Sequence, residues 1–252
     1  MNSPSHFRHA SQYSWRGKIG LIVPPTNTVN EAEWQIMAPE GVTIHTTRMA
    51  LHMESTSEAG KAALYADIDK AVGDLVLAEP DVIAYGCTAG SMINPPQALP
   101  DYMSKAANIP CVTTAASILQ ALRALGVFRI AMASPYHDAL NEHEVAFLAS
   151  NGIETVHAAG LGIGAAGLAD YPRIAKTPKQ DILDHLRGAD RPQAQALFVA
   201  CTDFPVMTMI NQLEDELGKP VITSNQATFW AAMRAAGLKD RPQGYGRLLR
   251  EF

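Results

Sequence analysis

The stretch Lys18-Ile-Gly-Leu-Ile-Val-Pro24 decides the fold, because a related stretch, Arg129-Ile-Ala-Met-Ala-Ser-Pro135, follows about 111 residues later. The same interval separates Gly41-Val-Thr-Ile-His45 from Gly152-Ile-Glu-Thr-Val156. Two copies are too few to stack as a solenoid, so the repetition predicts two similar lobes.

Each copy alternates short apolar runs with helix-like stretches, which is typical of α/β units around a parallel sheet. The predicted strands form two sets of four: Lys18–Val23, Val42–Thr46, Asp81–Tyr85 and Cys111–Thr113, then Arg129–Ala133, Glu154–Ala158, Ala196–Ala200 and Val221–Thr223. We therefore expect an α/β fold of two lobes from an internal duplication, each a four-stranded parallel sheet flanked by helices. The active site is expected in the cleft between them, since ligands bind beyond the carboxyl ends of parallel strands.

The lobe boundaries follow from the repeat. Residues 18–117 together with 226–252 are predicted to form the first lobe, and residues 118–225 the second. Residues 1–17 are polar and carry no apolar core of a signal sequence, so we expect a loosely ordered leader and a cytoplasmic protein.

Composition excludes several classes of partner. Hydrophobic residues make up 47% of the chain, charged residues 18%, and the net charge is −5, as in ordinary globular proteins. Without a Lys/Arg block or an apolar run of roughly 18 residues, neither nucleic acid nor a membrane is expected as a partner.

Two of the three cysteines occupy the same place in the two copies. Cys87 and Cys201 each follow a predicted strand and precede a threonine, whereas Cys111 lies within a strand and is interpreted as a small buried residue. A twofold arrangement of the lobes would bring Cys87 and Cys201 to opposite sides of one cleft. No Cys-x-x-Cys or His-Glu-x-x-His motif is present, so no metal or other cofactor is expected.

Opposed thiols support three reactions. A thiol and a thiolate can move a proton across a carbon centre, which is racemisation, or add to and leave a C=C bond, which is cis–trans isomerisation. A single thiol can protonate the enediolate left by decarboxylation. Because the thiolate is the reactive form, we expect a following helix N-terminus to lower the cysteine pKa. The adjacent backbone of Thr88, Ala89, Thr202 and Asp203 is expected to hold a substrate carboxylate.

Further candidate ligands for a carboxylate follow the first strand of each copy. They are Pro25, Thr26 and Asn27 in the first copy and Tyr136 in the second. Each has an alternative interpretation: Asn27 as a helix cap and Tyr136 as a core or turn residue. Asp203 either caps a helix or binds a substrate ammonium group. The glycine-rich stretch Gly160–Gly164 is expected to be a mobile active-site loop.

From Lys18 to Leu248 the sequence resembles the aspartate/glutamate racemase superfamily, and within it the branch of maleate cis–trans isomerases and arylmalonate decarboxylases. The resemblance is carried by Ile22-Val-Pro-Pro-Thr-Asn-Thr28, by the two cysteines and by Ser134-Pro-Tyr136. It implies that Cys87 is a nucleophile, Cys201 its acid partner, and Asn27 and Tyr136 substrate-binding residues. It also implies a homo-oligomer, a dimer or tetramer, acting on a small carboxylic or dicarboxylic acid.

The reaction remains open among related alternatives. Cys201-Thr-Asp-Phe-Pro205 looks more like the second motif of amino-acid racemases, and the tail Arg241–Leu248 looks like that of arylmalonate decarboxylases. We favour a cofactor-independent, two-cysteine isomerase of maleate type. An amino-acid racemase, an arylmalonate-type decarboxylase and a non-catalytic small-acid binding protein are the alternatives.

Overall fold

The computed structural model describes residues 8–52 and 57–252. These residues form two four-stranded parallel sheets with the same strand order, β2-β1-β3-β4 and β6-β5-β7-β8. The strands are β1 Gly17–Val23, β2 Val42–Arg48, β3 Val82–Tyr85, β4 Cys111–Thr113, β5 Arg129–Tyr136, β6 Glu154–Ile163, β7 Ala196–Val199 and β8 Val221–Thr223. The predicted fold class, two duplicated α/β lobes, is confirmed.

Helices connect the strands as expected of parallel sheets. They are α1 Asn30–Met37, α2 Glu58–Val76, α3 Thr88–Ser91, α4 Ala98–Ala107, α5 Thr114–Ala124, α6 Asp138–Ser150, α7 Lys179–Ala189, α8 Ile210–Leu217, α9 Ser224–Ala235 and α10 Gly246–Glu251. Two 3₁₀ helices, Leu168–Lys176 and Met207–Met209, precede α7 and α8. No helix among the residues described is long and apolar enough to cross a membrane.

The second lobe departs from the predicted strand ends. β5 continues to Tyr136 and β6 to Ile163, because their parallel pairing resumes after a register shift. Most of the predicted mobile loop Gly160–Gly164 is therefore strand, and that prediction is wrong. Gly160 is required there, since a Cβ atom would collide with the backbone oxygen of Tyr136.

The helices that follow β4 and β8 cross between the lobes. Phe229 of α9 packs against Trp34 of the first lobe, with ring centroids 5.4 Å apart. Ile118 of α5 lies in the apolar core of the second lobe with Ile130. This crossing of the two helices is compatible with a first lobe of residues 18–117 plus 226–252 and a second lobe of residues 118–225. The division itself stays a prediction.

The start of the described chain is held against the first lobe. Arg8 forms an ion pair with Asp81 at 3.1 Å and donates a hydrogen bond to the carbonyl of Ala236. His9 contacts the same carboxylate at 2.9 Å. Residues 8–17 therefore differ from the loosely ordered leader that was expected, while residues 1–7 lie outside the described residues.

Candidate active site

One cavity of about 320 Å³ lies where the carboxyl ends of the two sheets meet, and both Cys87 and Cys201 line it. Cys87 comes two residues after β3 and Cys201 two residues after β7. Each side chain is buried but in contact with the cavity, at 6% exposure. The duplicated strand ends thus bring the two thiols to one shared space.

Most of the predicted binding residues line the same cavity: Thr26, Asn27, Thr88, Ala89, Tyr136, Thr202 and Asp203. Pro25 does not, and it is exposed to solvent. The amide of Asn27 donates to the carbonyl of Pro24 at 3.1 Å, which closes a tight turn with Pro25 on its outer side. Pro24 is the proline that reaches the cavity.

Cys87 has an extended backbone, with φ −142°. Its sulfur takes part in hydrogen bonds with the amide of Gly90 and the hydroxyl of Tyr85. A Cβ atom on Gly90 would lie 2.9 Å from this sulfur and 2.7 Å from the Tyr85 hydroxyl oxygen. Glycine is therefore required at position 90 for the backbone to approach the thiol.

Cys201 is held differently, with φ +87°, a left-handed conformation that costs a non-glycine residue free energy. Its sulfur accepts a hydrogen bond from the amide of Asp203 at 3.3 Å and interacts with the hydroxyl of Tyr136. Each cysteine therefore has its own tyrosine, one from the preceding strand and one from the neighbouring strand.

Burial raises the pKa of both thiols, so the predicted lowering is wrong. The expected helix effect is small because α3 is a single turn of four residues. At Cys201 the carboxylates of Asp203 and Glu144 raise the pKa further, whereas at Cys87 the additional carboxylate is that of Glu144. This imbalance of negative charge makes Cys87 the easier of the two to ionise.

Asn27 combines the two roles considered for it. Its Oδ1 accepts hydrogen bonds from the amides of Val29 and Asn30 at 3.1 and 3.0 Å, which caps the start of α1. Its Nδ2 donates to Thr202 at 3.0 Å, and Thr202 donates to the carbonyl of Gly86. Asn27 thereby links the two cysteine turns, and its second N–H remains available to a ligand.

Replacing Asn27 separates these two roles. In Asn27→Ala we expect the free energy of unfolding to fall by about 1–2 kcal/mol, because two backbone N–H groups lose their acceptor. Asn27→Ser retains a capping oxygen and should recover most of that stability while kcat/KM stays at least about tenfold below wild type. Urea unfolding and steady-state kinetics measure the two effects. Full activity in Asn27→Ser would restrict Asn27 to helix capping.

Asp203 bridges the lobes instead of capping the helix that follows it. Its Oδ1 accepts a hydrogen bond from the amide of Thr28 at 2.8 Å. Its Oδ2 is buried and has no hydrogen-bond partner among the residues described. Burial raises the pKa of Asp203 to about 6. Asp203 thus lines the cavity with one carboxylate oxygen that has no partner in the described structure.

The structure adds residues that the sequence did not identify. Tyr85 was interpreted only as part of a strand, although it lies two residues before Cys87. The remaining cavity wall comes from residues that the sequence did not assign to the site: Leu51, His52, His137, Ala139, Leu140, His143, Tyr171 and Ile174. Nothing in the local sequence distinguishes these residues from core or surface positions. Across residues 8–52 and 57–252, no cluster of His, Cys, Asp or Glu is suited to hold a metal ion.

A sequence profile of the arylmalonate decarboxylase family matches residues 19–249. The chain belongs to this family. It is 31% identical to the arylmalonate decarboxylase of Bordetella bronchiseptica over 240 residues, covering 92% of this chain and 96% of that protein. It is 28% identical to the maleate isomerase of Nocardia farcinica over 247 residues, covering 93% and 96% of the two chains.

Solved structures agree with this family. A mutant of the Nocardia farcinica maleate cis–trans isomerase with a covalently bound succinylcysteine intermediate superposes with a TM-score of 0.83 at 26% identity. The match covers 94% of this chain and 99% of the other. The resemblance inferred from the motifs is thereby confirmed, and this arylmalonate decarboxylase family member is similar to cysteine isomerases along nearly its whole length.

Proposed function

We propose that this protein is a cofactor-independent cis–trans isomerase of a small unsaturated dicarboxylic acid, of maleate type, that uses Cys87 and Cys201. The observation that carries the proposal is that both thiols line one cavity, each hydrogen-bonded to a tyrosine. The maleate isomerase relatives support the reaction.

The reaction starts with the thiolate of Cys87. Its sulfur adds to one carbon of the C=C bond, and Cys201 transfers its proton to the neighbouring carbon, which leaves a thioether on Cys87 and a thiolate at Cys201. Rotation about the new single bond follows. Cys201 then takes a proton back, the C=C bond forms again in the trans arrangement, and the C–S bond breaks to restore the Cys87 thiolate.

Neutral hydrogen-bond donors around the cavity bind the substrate carboxylates in this proposal. We assign this role to the side chains of Thr26, Asn27 and Tyr136 and to the backbone of Thr88, Ala89 and Thr202. These groups hydrogen-bond an anion without a fixed positive charge, and they stabilise the negative charge that develops as sulfur adds.

Incubation with maleate in ordinary water tests the reaction. We expect proton NMR to show the maleate signal replaced by that of fumarate, with no net gain or loss of atoms. Cys111→Ser is the matched control, since Cys111 is buried outside the cavity lining and should leave the rate within about twofold. Unchanged maleate in the presence of folded protein would contradict the proposed substrate.

A racemase is the second candidate, and Asp203 favours it. The Oδ2 of Asp203 lacks a partner in the described structure and could accept a hydrogen bond from a substrate ammonium group. Racemisation in heavy water places deuterium on the α-carbon of an amino acid and inverts that centre, whereas isomerisation converts maleate into fumarate. Decarboxylation, the activity named for the family, would instead release carbon dioxide from a substituted malonate. Assembly as a dimer or tetramer and location in the cytoplasm stay predictions.

A further inference from the structure

Two buried glutamates occupy equivalent positions in the two halves of the protein. Glu33 lies on α1, directly after β1, and Glu144 lies on α6, directly after β5. They are about 111 residues apart, which is the interval of the repeat. Their exposures are 7% and 0%.

Glu33 is fully partnered. Its carboxylate accepts hydrogen bonds from the amides of Val206 and Met207, at 3.1 and 3.0 Å, and from Nδ2 of Asn225 at 2.7 Å. These donors come from the segment after Cys201 and from α9. The residue therefore ties the first lobe to the second cysteine turn.

Glu144 lacks hydrogen-bond donors that correspond to those of Glu33. Both of its carboxylate oxygens are buried without a hydrogen-bond partner among the residues described. The second residue of α9 is Asn225, whereas the second residue of α5 is Ala115, which has no side-chain donor. The amides of Met92 and Ile93, which follow Cys87 as Val206 and Met207 follow Cys201, donate instead to carbonyls of their own turn.

Glu144 lies beside the candidate active site. The residue before it, His143, lines the cavity that holds both thiols. A negative charge on Glu144 raises the pKa of Cys87, of Cys201 and of Tyr136. Helix α6 packs chiefly against β5, β6 and α3. Other ionisable residues of this region are Asp138, Glu142 and His143 on α6, Arg129 and Tyr136 on β5, Glu154 and His157 on β6, and Cys87 directly before α3.

Burial is the cause that sets the pKa of Glu144, which is raised to about 8. None of the surrounding ionisable groups contributes to this shift. The carboxyl group is therefore neutral at pH 7 and gains a charge above about pH 8. An unpaired buried acid does not stabilise a fold, and an apolar residue would fill the position at lower cost.

We propose that Glu144 is a positioning residue for the cysteine pair: a negative charge at this buried, unpartnered position, on the helix that lines the cavity, opposes the formation of a thiolate on Cys87. The effect on the thiols does not depend on the reaction catalysed. The effect on turnover rests on the proposed function.

Thiol alkylation tests the first effect without any turnover. The rate at which iodoacetamide modifies Cys87 is followed by peptide mass spectrometry across the alkaline range, in wild type and in Glu144→Gln. Glutamine keeps the shape of the neutral carboxyl group and cannot ionise. At about pH 9 we therefore expect Cys87 of Glu144→Gln to react at least about threefold faster than in wild type. Equal rates would overturn the proposal.

Glu33→Gln is the matched control, because it changes the same acid at the equivalent position. The charge of Glu33 is not among the causes that shift the pKa of either cysteine, so its alkylation profile should match wild type. Glu144→Met provides a second variant without an ionisable group, should Glu144→Gln fail to fold. Faster alkylation in Glu33→Gln to the same extent would also overturn the specific role of Glu144.

The pH profile of kcat/KM tests the effect on turnover. We expect the rise of kcat/KM with pH, which follows the formation of the Cys87 thiolate, to level off near the pKa of Glu144 in wild type and to continue to higher pH in Glu144→Gln. An unchanged profile would contradict the proposal. If no protein isomerises maleate but Glu144→Gln is still alkylated faster, the proposed substrate fails and the role of Glu144 stands.

Discussion

Cys87→Ser and Cys201→Ser should each lower kcat/KM for maleate by at least about a thousandfold. A serine hydroxyl is far less acidic than a thiol, so Cys87→Ser loses the nucleophile that adds to the double bond. Cys201→Ser loses the proton donor on the opposite side. Proton NMR of fumarate formation measures both rates. Activity within tenfold of wild type in both variants would exclude the two-cysteine mechanism.

The two variants should differ in what accumulates. With Cys201 replaced, a proton from water can complete a slow addition to Cys87, but the base that removes a proton from the adduct is missing. A thioether of substrate mass should therefore build up on the peptide that contains Cys87. With Cys87 replaced, no adduct should form. Mass spectrometry of the digested protein distinguishes these outcomes, and an adduct found on Cys201 would reverse the assigned roles. Cys111→Ser serves as the control for thiol loss.

Replacing Glu144 by methionine should increase stability at alkaline pH by up to about 5 kcal/mol. The pKa of Glu144 is about 8 in the folded protein against an ordinary value of 4.5. Between these values the folded state holds a proton that the unfolded state has lost, so the stability of wild type falls as pH rises. Below the ordinary pKa both states are protonated, and this contribution vanishes. Urea unfolding near pH 5 and near pH 9 measures the difference.

Glu33→Met is the control for this measurement. Burial raises the pKa of Glu33 to about 7, so its ionisation also lowers the stability of the folded protein as pH rises. Its removal, however, leaves two backbone amides and the Asn225 side chain without their acceptor, and near pH 5, where ionisation contributes little, we expect a loss of about 1–3 kcal/mol. Glu144→Met with the same pH dependence of stability as wild type would show that Glu144 is charged in the folded protein.

The fold was predictable because it depends on patterns that local sequence carries. Apolar runs such as Ile19–Val23 and Ile130–Ala133 indicate buried parallel strands, and their repetition indicates two lobes with one topology. The ends of β5 and β6 were not predictable. Their extension depends on pairing between two strands and on the close approach of Gly160 to Tyr136, which one strand's sequence does not reveal.

The candidate site was predictable where the repeat marks it. Cys87, Cys201 and Tyr136 stand at strand ends in motifs that recur or resemble known ones, and all three line the cavity. Tyr85 was missed because a tyrosine within a buried strand has the same appearance whether or not it bonds a thiol. Pro25 was chosen over Pro24 because sequence position alone does not tell which proline of a turn faces inward.

The sequence by itself determined the duplication, the parallel sheets and the pairing of two cysteines at equivalent strand ends. Only the tertiary structure decided how readily each acidic group loses its proton. The pKa values of Cys87 and Cys201 were expected to be lowered, but both are raised. Glu33 and Glu144 stand at equivalent positions, yet among the described residues only Glu33 receives hydrogen bonds from the other lobe. Proton affinity depends on desolvation and on charges from segments far apart in the chain, and these quantities exist only once the lobes have packed together.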